Sequence, residues 1–262
     1  MNQALLDELT KIDYQSIQNK IESFLKDEVS QRQSSGVIFG LSGGIDSAVI
    51  AALCAKSIKE KSLALLMPDS KVTPRIDTED ALKLVDKLGL EYKLIDINPI
   101  HYEYSKYIEP NPLALGNLRA RIRAGILYYY ANSKNYLVLG SSDKSEYLIG
   151  YFTKFGDGGA DLLPIVSLYK TQIRQFAKFL GLPDTIISKK SSPNLWPDHV
   201  AESELGVSYE EIDACLHCIV DKNLSVQDTV SSTGIDLSIV DKIHKLYKKS
   251  EHKRITPKAC QI

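Results

Sequence analysis

The sequence predicts an α/β protein: a doubly wound, mostly parallel sheet with helices on both faces, followed by a helical C-terminal region. Three observations lead there. Short apolar runs at 37–41 (VIFGL), 63–67 (LALLM), 92–97 (YKLIDI) and 136–140 (YLVLG) are separated by segments of helical spacing, and parallel strands require such crossovers. The first run ends in two glycines where a helix should begin. Beyond residue 150 the strand signal fades into FGDGGAD and then into helical patterns.

In chain order, Leu5, Leu9, Ile12, Ile17, Ile21, Phe24 and Leu25 recur at mostly helical spacing, so the first thirty residues form one or two amphipathic helices expected to dock on the sheet. The first strand runs into SGGIDS, and the next helix extends from about Ile45 to Lys59. After the second strand a helix over about Thr78–Leu88 closes at Gly89. After the third strand a helix near 117–131 leads into the fourth, and further helices fall near 167–180, 208–220 and 236–249. With 44% apolar residues, a chain of 262 can bury a large core as one domain over 1–262, its core sheet spanning about 34–190 and its helical region about 191–262.

The net charge of −1 gives no global case for nucleic acid or an anionic membrane. Met1–Lys11 has no basic start followed by an apolar run, and the longest apolar stretch, AVIAALCA at 48–55, is too short to span a bilayer. A soluble, cytoplasmic protein acting on small molecules is expected. Four cysteines in a chain this long make no disulfide framework. Cys215 and Cys218 form a C-x-x-C, but it lies within the helical pattern YEEIDACLHCIV without a second pair to complete a tetrahedral metal site.

SGGIDS at 42–47 reads as a phosphate cradle. Its glycines are adjacent and no Lys follows, so it is not a Walker loop. Gly43 and Gly44 lack Cβ atoms and can turn backbone N–H groups inward, while the following helix aims its positive end at the same point. Ser42 and Ser47 add hydroxyl donors. Asp46 would repel a phosphate unless a divalent cation lies between them. An ordinary strand-to-helix turn capped by Asp46 or Ser47 is the alternative. In a doubly wound sheet ligands gather beyond the carboxyl ends of the strands, which places Ser42–Ser47, Pro68–Lys71 and Ser141 on one rim.

Other constellations are less determined. Ser167 as a helix cap would put Lys170 in the first turn, opposing the helix dipole unless an anion is near. Glu146, just past the fourth strand, can face Asp46 and complete a magnesium site, or be a surface residue. Within RARIR at 119–123, Arg119 and Arg123 share a helix face and Arg121 points elsewhere, so Arg121 can serve a specific anion while the others pair with acids. Tyr128, Tyr129 and Tyr130 suit either a subunit contact or partial burial. In YFTKFGDGGADLLP, Lys154 and Asp161 are candidate contacts of a loop that closes over substrate, against a plain surface loop. His252 and Lys253 lie in a C-terminal basic stretch that is either an anion contact or without a partner.

These pieces, in this order, resemble ammonia-dependent NAD synthetase, a member of the N-type ATP pyrophosphatase group with an adenine nucleotide alpha hydrolase-like fold. The resemblance is carried by SGGIDS at 42, GNLRARIR at 116, LGSSDKSE at 139, GYFTKFGDGGADLLP at 150, ELGVSYEEID at 204 and EHKR at 251. SGGIDS alone marks only the group; the long glycine-rich motif with EHKR is far more specific. The resemblance implies that ATP adenylates the carboxylate of deamido-NAD, releasing pyrophosphate, and that ammonia displaces AMP to give NAD. It implies ATP contacts from Gly40, Leu41, Ser42, Gly43, Gly44, Ile45, Asp46, Ser47, Ser141, Lys170 and Ser192. Deamido-NAD contacts fall on Arg121, Lys154, Asp161, His252 and Lys253, and Mg2+ on Asp46 and Glu146. Relatives often carry Thr where Ser141 and Ser192 stand, which preserves a hydroxyl donor and loses a methyl. The resemblance further implies a homodimer with a shared dinucleotide site. About forty residues precede SGGIDS and contain no Cys, so free ammonia rather than glutamine is the expected nitrogen source, with no covalent nucleophile among the side chains. A tRNA-thiolating relative would show reactive cysteines and a basic face, and a nucleotide sensor would need neither Glu146 nor the 154–161 loop.

Overall fold

The structure is a computed structural model that describes residues 2–260; Met1, Gln261 and Ile262, the ends of the expected 1–262 domain, lie outside it. The elements, in order, are α1 (Gln3–Thr10), α2 (Tyr14–Gln31), β1 (Gly36–Gly40), α3 (Ile45–Ser57), β2 (Ser62–Leu66), α4 (Arg75–Leu88), β3 (Glu91–Leu94), α5 (Asn98–Ser105), α6 (Pro112–Lys134) and β4 (Tyr136–Leu139). Then follow α7 (Lys144–Ile149), α8 (Lys170–Phe179), α9 (Asp184–Ile187), α10 (Ala201–Leu205), α11 (Tyr209–Leu216), α12 (Val226–Thr233), α13 (Leu237–Lys249) and α14 (Glu251–Arg254).

The four strands are parallel in the order β3-β2-β1-β4, with Ile38 opposite Leu63 on one side and Val138 on the other. Strands β1 and β2 are buried on both faces, which is why their sequences are continuously apolar rather than alternating. Helix α3 covers one face with Ala48 to Cys54 buried all round, enclosed also by α2 and α8. Helix α6 covers the other with Ile122 and Ala131. The chain leaves β1 toward β2 and β3 on one side and returns to place β4 on the other, so the crevice between β1 and β4 is the topological switch point. Both connections that bound it, 41–44 and 140–143, lie at carboxyl strand ends.

Two expectations about the ends of elements are corrected. Only α2 docks on the sheet layer, through Ile21, Leu25 and Val29; Leu5, Leu6 and Leu9 of α1 pack instead with the C-terminal helices, beside Tyr209, Ile212 and Val240. The chain breaks between them at Lys11–Asp13, and Asp13 caps α2 by accepting from the Ser16 N–H at 3.0 Å, so the two apolar stripes are free to face different layers. Ser167 does not cap α8. Its leading amides are received by other helices: Lys170 N donates to Ser145 Oγ at 2.8 Å and Thr171 N to Asp213 Oδ2 at 2.8 Å. Cys215 and Cys218 are buried in the C-terminal cluster. Burial pushes the Cys215 thiol up to about 12, as befits an inert core residue. Among the described residues, no helix is long and apolar enough to cross a membrane.

Candidate active site

A cavity of about 490 Å³ opens at the switch point, walled on one side by the 40–47 turn and on another by residues of α6. The turn has the geometry of an anion cradle. Gly43 sits at φ +82°, and a Cβ there would lie 2.2 Å from the Asp77 carbonyl oxygen, so only glycine fits. Ser47 Oγ receives the Ser42 N–H at 3.2 Å and bonds back to the Gly44 carbonyl at 3.0 Å, locking the turn onto the first turn of α3. Lys189, itself on the cavity wall, donates to the Gly43 carbonyl at 3.2 Å while ion-pairing with Asp77 and Asp80, each at 2.8 Å. That carbonyl, whose negative end would repel a phosphate, is thereby engaged by a cation.

Beside the turn stand three carboxylates around one ammonium. Lys170 Nζ lies 2.8 Å from Asp46, 2.6 Å from Asp143 and 3.0 Å from Glu146, and its side chain is wholly buried. Its pKa is held well above the ordinary value: burial opposes the charge, and Asp143, Asp46 and Glu146 overcome it. Burial is also the main force raising Asp46 and Asp143, with Lys170 pulling the other way. Glu146 Oε1 is held in place by the Tyr209 hydroxyl at 2.7 Å. Behind the cluster, Asp213 accepts from Ser145 Oγ at 2.5 Å and from Thr171 N, tying α7, α8 and α11 together.

The donor set fits a hard divalent cation. Oxygens of Asp46, Asp143 and Glu146 lie within 4.8 Å of one another, and Asp46 Oδ1 is buried without a hydrogen-bond partner. Formally one lysine faces three carboxylates. An all-oxygen, under-neutralised group of this kind suits magnesium better than a soft metal.

The expected residues divide in two. Gly40, Leu41, Ser42, Gly44, Ile45, Asp46, Ser47, Ser141, Glu146, Ser192 and Lys253 line the cavity. Gly43 belongs to the turn without lining the cavity, and Lys170 lies behind the carboxylates. Arg121 is exposed and donates to the Lys154 carbonyl at 3.3 Å; Lys154 in turn donates to the His252 carbonyl at 2.8 Å, so these three form a group outside the cavity. Asp161 is stitched to the sheet, accepting from Val138 N at 2.8 Å, while Leu162 bridges Leu139; the C-terminal end of the glycine-rich loop is therefore an added edge of the sheet. Lys253 fastens the loop's other end through the Gly150 and Phe152 carbonyls at 2.6 and 2.7 Å. Arg119 pairs with Asp69 at 2.6 Å, whereas Arg123 pairs with no acid among the described residues and donates to the Met67 carbonyl at 2.9 Å.

Asp143, Tyr209 and Lys189 were not legible as site residues. Asp143 had a local signal, standing three residues before Glu146, but that spacing is also a helix cap, and Asp143 Oδ1 does accept from Glu146 N at 2.8 Å. Asn194 links the 190–196 segment to the same frame, donating to Asp77 at 2.9 Å and accepting from Ser192 Oγ at 2.9 Å.

Comparison with known proteins agrees with this geometry. The family model for NAD synthase matches residues 17–257. The chain is 48% identical over 257 residues to the NH(3)-dependent NAD(+) synthetase of Staphylothermus marinus, covering 96% of this chain and 93% of that one. The NH3-dependent NAD synthetase of Campylobacter jejuni, solved with a nitrate ion, superposes with a TM-score of 0.83 at 37% identity, over 95% of this chain and 100% of that one. The NMN synthetase of Francisella tularensis superposes with a TM-score of 0.85 at 32% identity, over 96% and 100%. Sequence and fold agree over nearly the whole length, and the chain belongs to the NAD synthase family.

Proposed function

We propose that this chain is a carbon–nitrogen ligase that amidates deamido-NAD with ammonia at the expense of ATP, giving NAD, AMP and pyrophosphate, the last step of NAD biosynthesis. The observation that carries the reading is the cavity in which the Gly43 turn and the α3 amino end meet the Asp46–Asp143–Glu146 cluster. The match over 17–257 supports one synthetase domain.

The turn from Gly40 to Ser47 binds the triphosphate through backbone N–H groups and the Ser42 and Ser47 hydroxyls. Ser141 and Ser192 contribute further hydroxyls from the facing loops. Asp46 and Glu146, with Asp143, hold Mg2+, which when bound screens the phosphoryl charge and stabilises the departing pyrophosphate. Lys170 keeps those carboxylates together and ionised against their burial. A carboxylate is a poor electrophile; attachment to AMP supplies a leaving group, and positioning and electrostatics supply the rest. No side chain is needed as covalent nucleophile.

Arg121, Lys154, Asp161, His252 and Lys253 contact the deamido-dinucleotide. The first four do not line the cavity of one subunit, which supports a site shared across a homodimer. Exposed Tyr92 and Leu94 on edge strand β3, Tyr102 and Tyr104 on α5, and Tyr129 on α6 supply apolar surface for a second copy.

The test is incubation with ATP, magnesium, ammonium and deamido-NAD, with products identified by chromatography. AMP, pyrophosphate and NAD are expected; ADP and phosphate would exclude adenylation. The likeness to a protein named NMN synthetase favours one alternative acceptor, the mononucleotide. A parallel reaction with nicotinate mononucleotide decides between them by the ratio of kcat/KM.

A further inference from the structure

We infer that Arg123 is a ligand-binding residue of the cavity, its guanidinium holding an oxyanion of one of the two large substrates. The inference rests on the proposed reaction only for the identity of those substrates, ATP and deamido-NAD; the cation itself follows from the geometry.

The three arginines of α6 have different surroundings. Arg119 is satisfied, with Nε on Asp69 at 2.6 Å and Nη1 on the Leu195 carbonyl at 3.2 Å. Arg121 lies on the outer surface against the Lys154 carbonyl. Arg123 lines the same cavity as Asp46 and Glu146. Its Nε donates to the Met67 carbonyl at 2.9 Å, and neither Nη atom has an acceptor among the described residues. No carboxylate lies within ion-pair distance of it there. The two acids that act on it from farther away are engaged: Asp69 accepts from Arg119, Asn98 and Lys71, and Asp157 accepts from Thr153 N at 2.9 Å.

A guanidinium keeps its proton under ordinary conditions, so a half-buried one on the wall of a cavity, with no acid paired to it among the described residues, is suited to receive an anion there. Burial dominates here and lowers Arg123 to about 10, against the partial support of Asp69. On the same helix, Ala120, Ala124 and Leu127 line the cavity with apolar side chains. Meanwhile the Met67 carbonyl, just past β2, fixes the fork at its Nε edge, so four N–H groups are oriented before a ligand arrives. A planar fork of that kind matches two oxygens of one carboxylate or phosphoryl group. Nothing of this is visible in RARIR, where Arg123 shares a helix face with Arg119 and reads as a partner for acids.

Two substitutions test it. Arg123→Gln keeps a donor for Met67 and removes the charge; Arg123→Lys keeps a charge and removes the fork. ATP with magnesium and deamido-NAD are titrated separately, without ammonium, by calorimetry, with the melting temperature of each variant recorded. Arg123→Gln is expected to weaken one of the two ligands by roughly 10- to 150-fold, the value of a charge-assisted hydrogen bond, and to spare the other, with Arg123→Lys intermediate. Loss for ATP identifies a phosphoryl oxygen as the anion, and loss for deamido-NAD a group of the dinucleotide. Unchanged affinity for both in folded variants overturns the inference. So does an equal loss for both that follows the fall in melting temperature with no recovery in Arg123→Lys, since that is a purely structural role. If the unmodified protein binds ATP but forms no AMP or NAD, the proposed reaction fails while a selective effect of Arg123→Gln still stands.

Discussion

Replacing Lys170 by Met isolates the electrostatics of the site. The ammonium is wholly buried and lies 2.6 to 3.0 Å from Asp143, Asp46 and Glu146. Met fills most of the volume, so the loss is one of charge. Breaking a buried ion pair from one side leaves uncompensated charge and costs about 3–5 kcal/mol. For a chain of this size, 1 kcal/mol moves the melting temperature by about 2–4 °C, so the variant should melt roughly 6–20 °C lower in EDTA. A divalent cation among the same oxygens restores neutralisation, and a ligand at 100 times its dissociation constant stabilises by about 2.7 kcal/mol. The deficit should therefore shrink by several degrees in millimolar magnesium. Thermal unfolding by circular dichroism, with and without magnesium, reads both effects. A fall below about 2 °C in EDTA would refute the claim that Lys170 neutralises the cluster. An equal deficit in both buffers would refute the cation site.

Three further outcomes follow from named contacts. Gly43→Ala places a methyl 2.2 Å from the Asp77 carbonyl at φ +82°, which costs about 1–2 kcal/mol for the left-handed conformation before the clash is relieved; the KM for ATP should rise at least about tenfold with the fold retained, measured by steady-state kinetics and circular dichroism. Lys189→Met strands Asp77 and Asp80, both nearly buried, and should destabilise by about 2–4 kcal/mol. Adding Asp80→Asn should recover part of that loss, and strict additivity in urea unfolding would contradict the coupling. Asp213 is pushed up to about 6 by burial, with the Ser145 hydroxyl and Thr171 N–H opposing. Its folded pKa exceeds the unfolded one, so its stabilising contribution is complete below about pH 4 and is lost as pH rises through the folded value. The stability difference between the natural chain and Asp213→Asn should fall by up to about 3 kcal/mol from pH 4 to 7. A flat difference would mean Asp213 does not titrate in that window.

What the sequence revealed and what it hid separate along chain distance. The strands, the Gly89 stop of α4 and the Gly43 turn are local events, set by residues within a few positions of one another, and each was legible. The turn could be read as a cradle because adjacent glycines before a helix can turn backbone N–H groups inward at its positive end. By contrast, the direction in which a charged side chain points depends on what another layer brings to it. Lys170 is 124 residues from Asp46, and Lys189 is 112 residues from Asp77. The same blindness explains Ser167, whose expected capping role is taken by Ser145 and Asp213 from helices it cannot see in sequence. It also explains Asp161, which reads as a loop acid and serves as a backbone acceptor for β4.

The distinction bears on mechanism. The legible residues mostly form the surface a ligand would touch, and the illegible ones mostly hold that surface in shape: Lys189 ties down the Gly43 carbonyl, Tyr209 orients Glu146 and Asp213 anchors the start of α8. A turn built from glycine and serine has little rigidity of its own, since Gly43 and Gly44 have the widest conformational freedom of any residues. Its usefulness as a preorganised anion site therefore depends on cross-ties from distant segments. Any relative that keeps SGGIDS but loses the cation bound to the Gly43 carbonyl would keep the motif while that carbonyl was free to reorient. The measurable consequence is weaker nucleotide binding from a site whose contact residues are all intact.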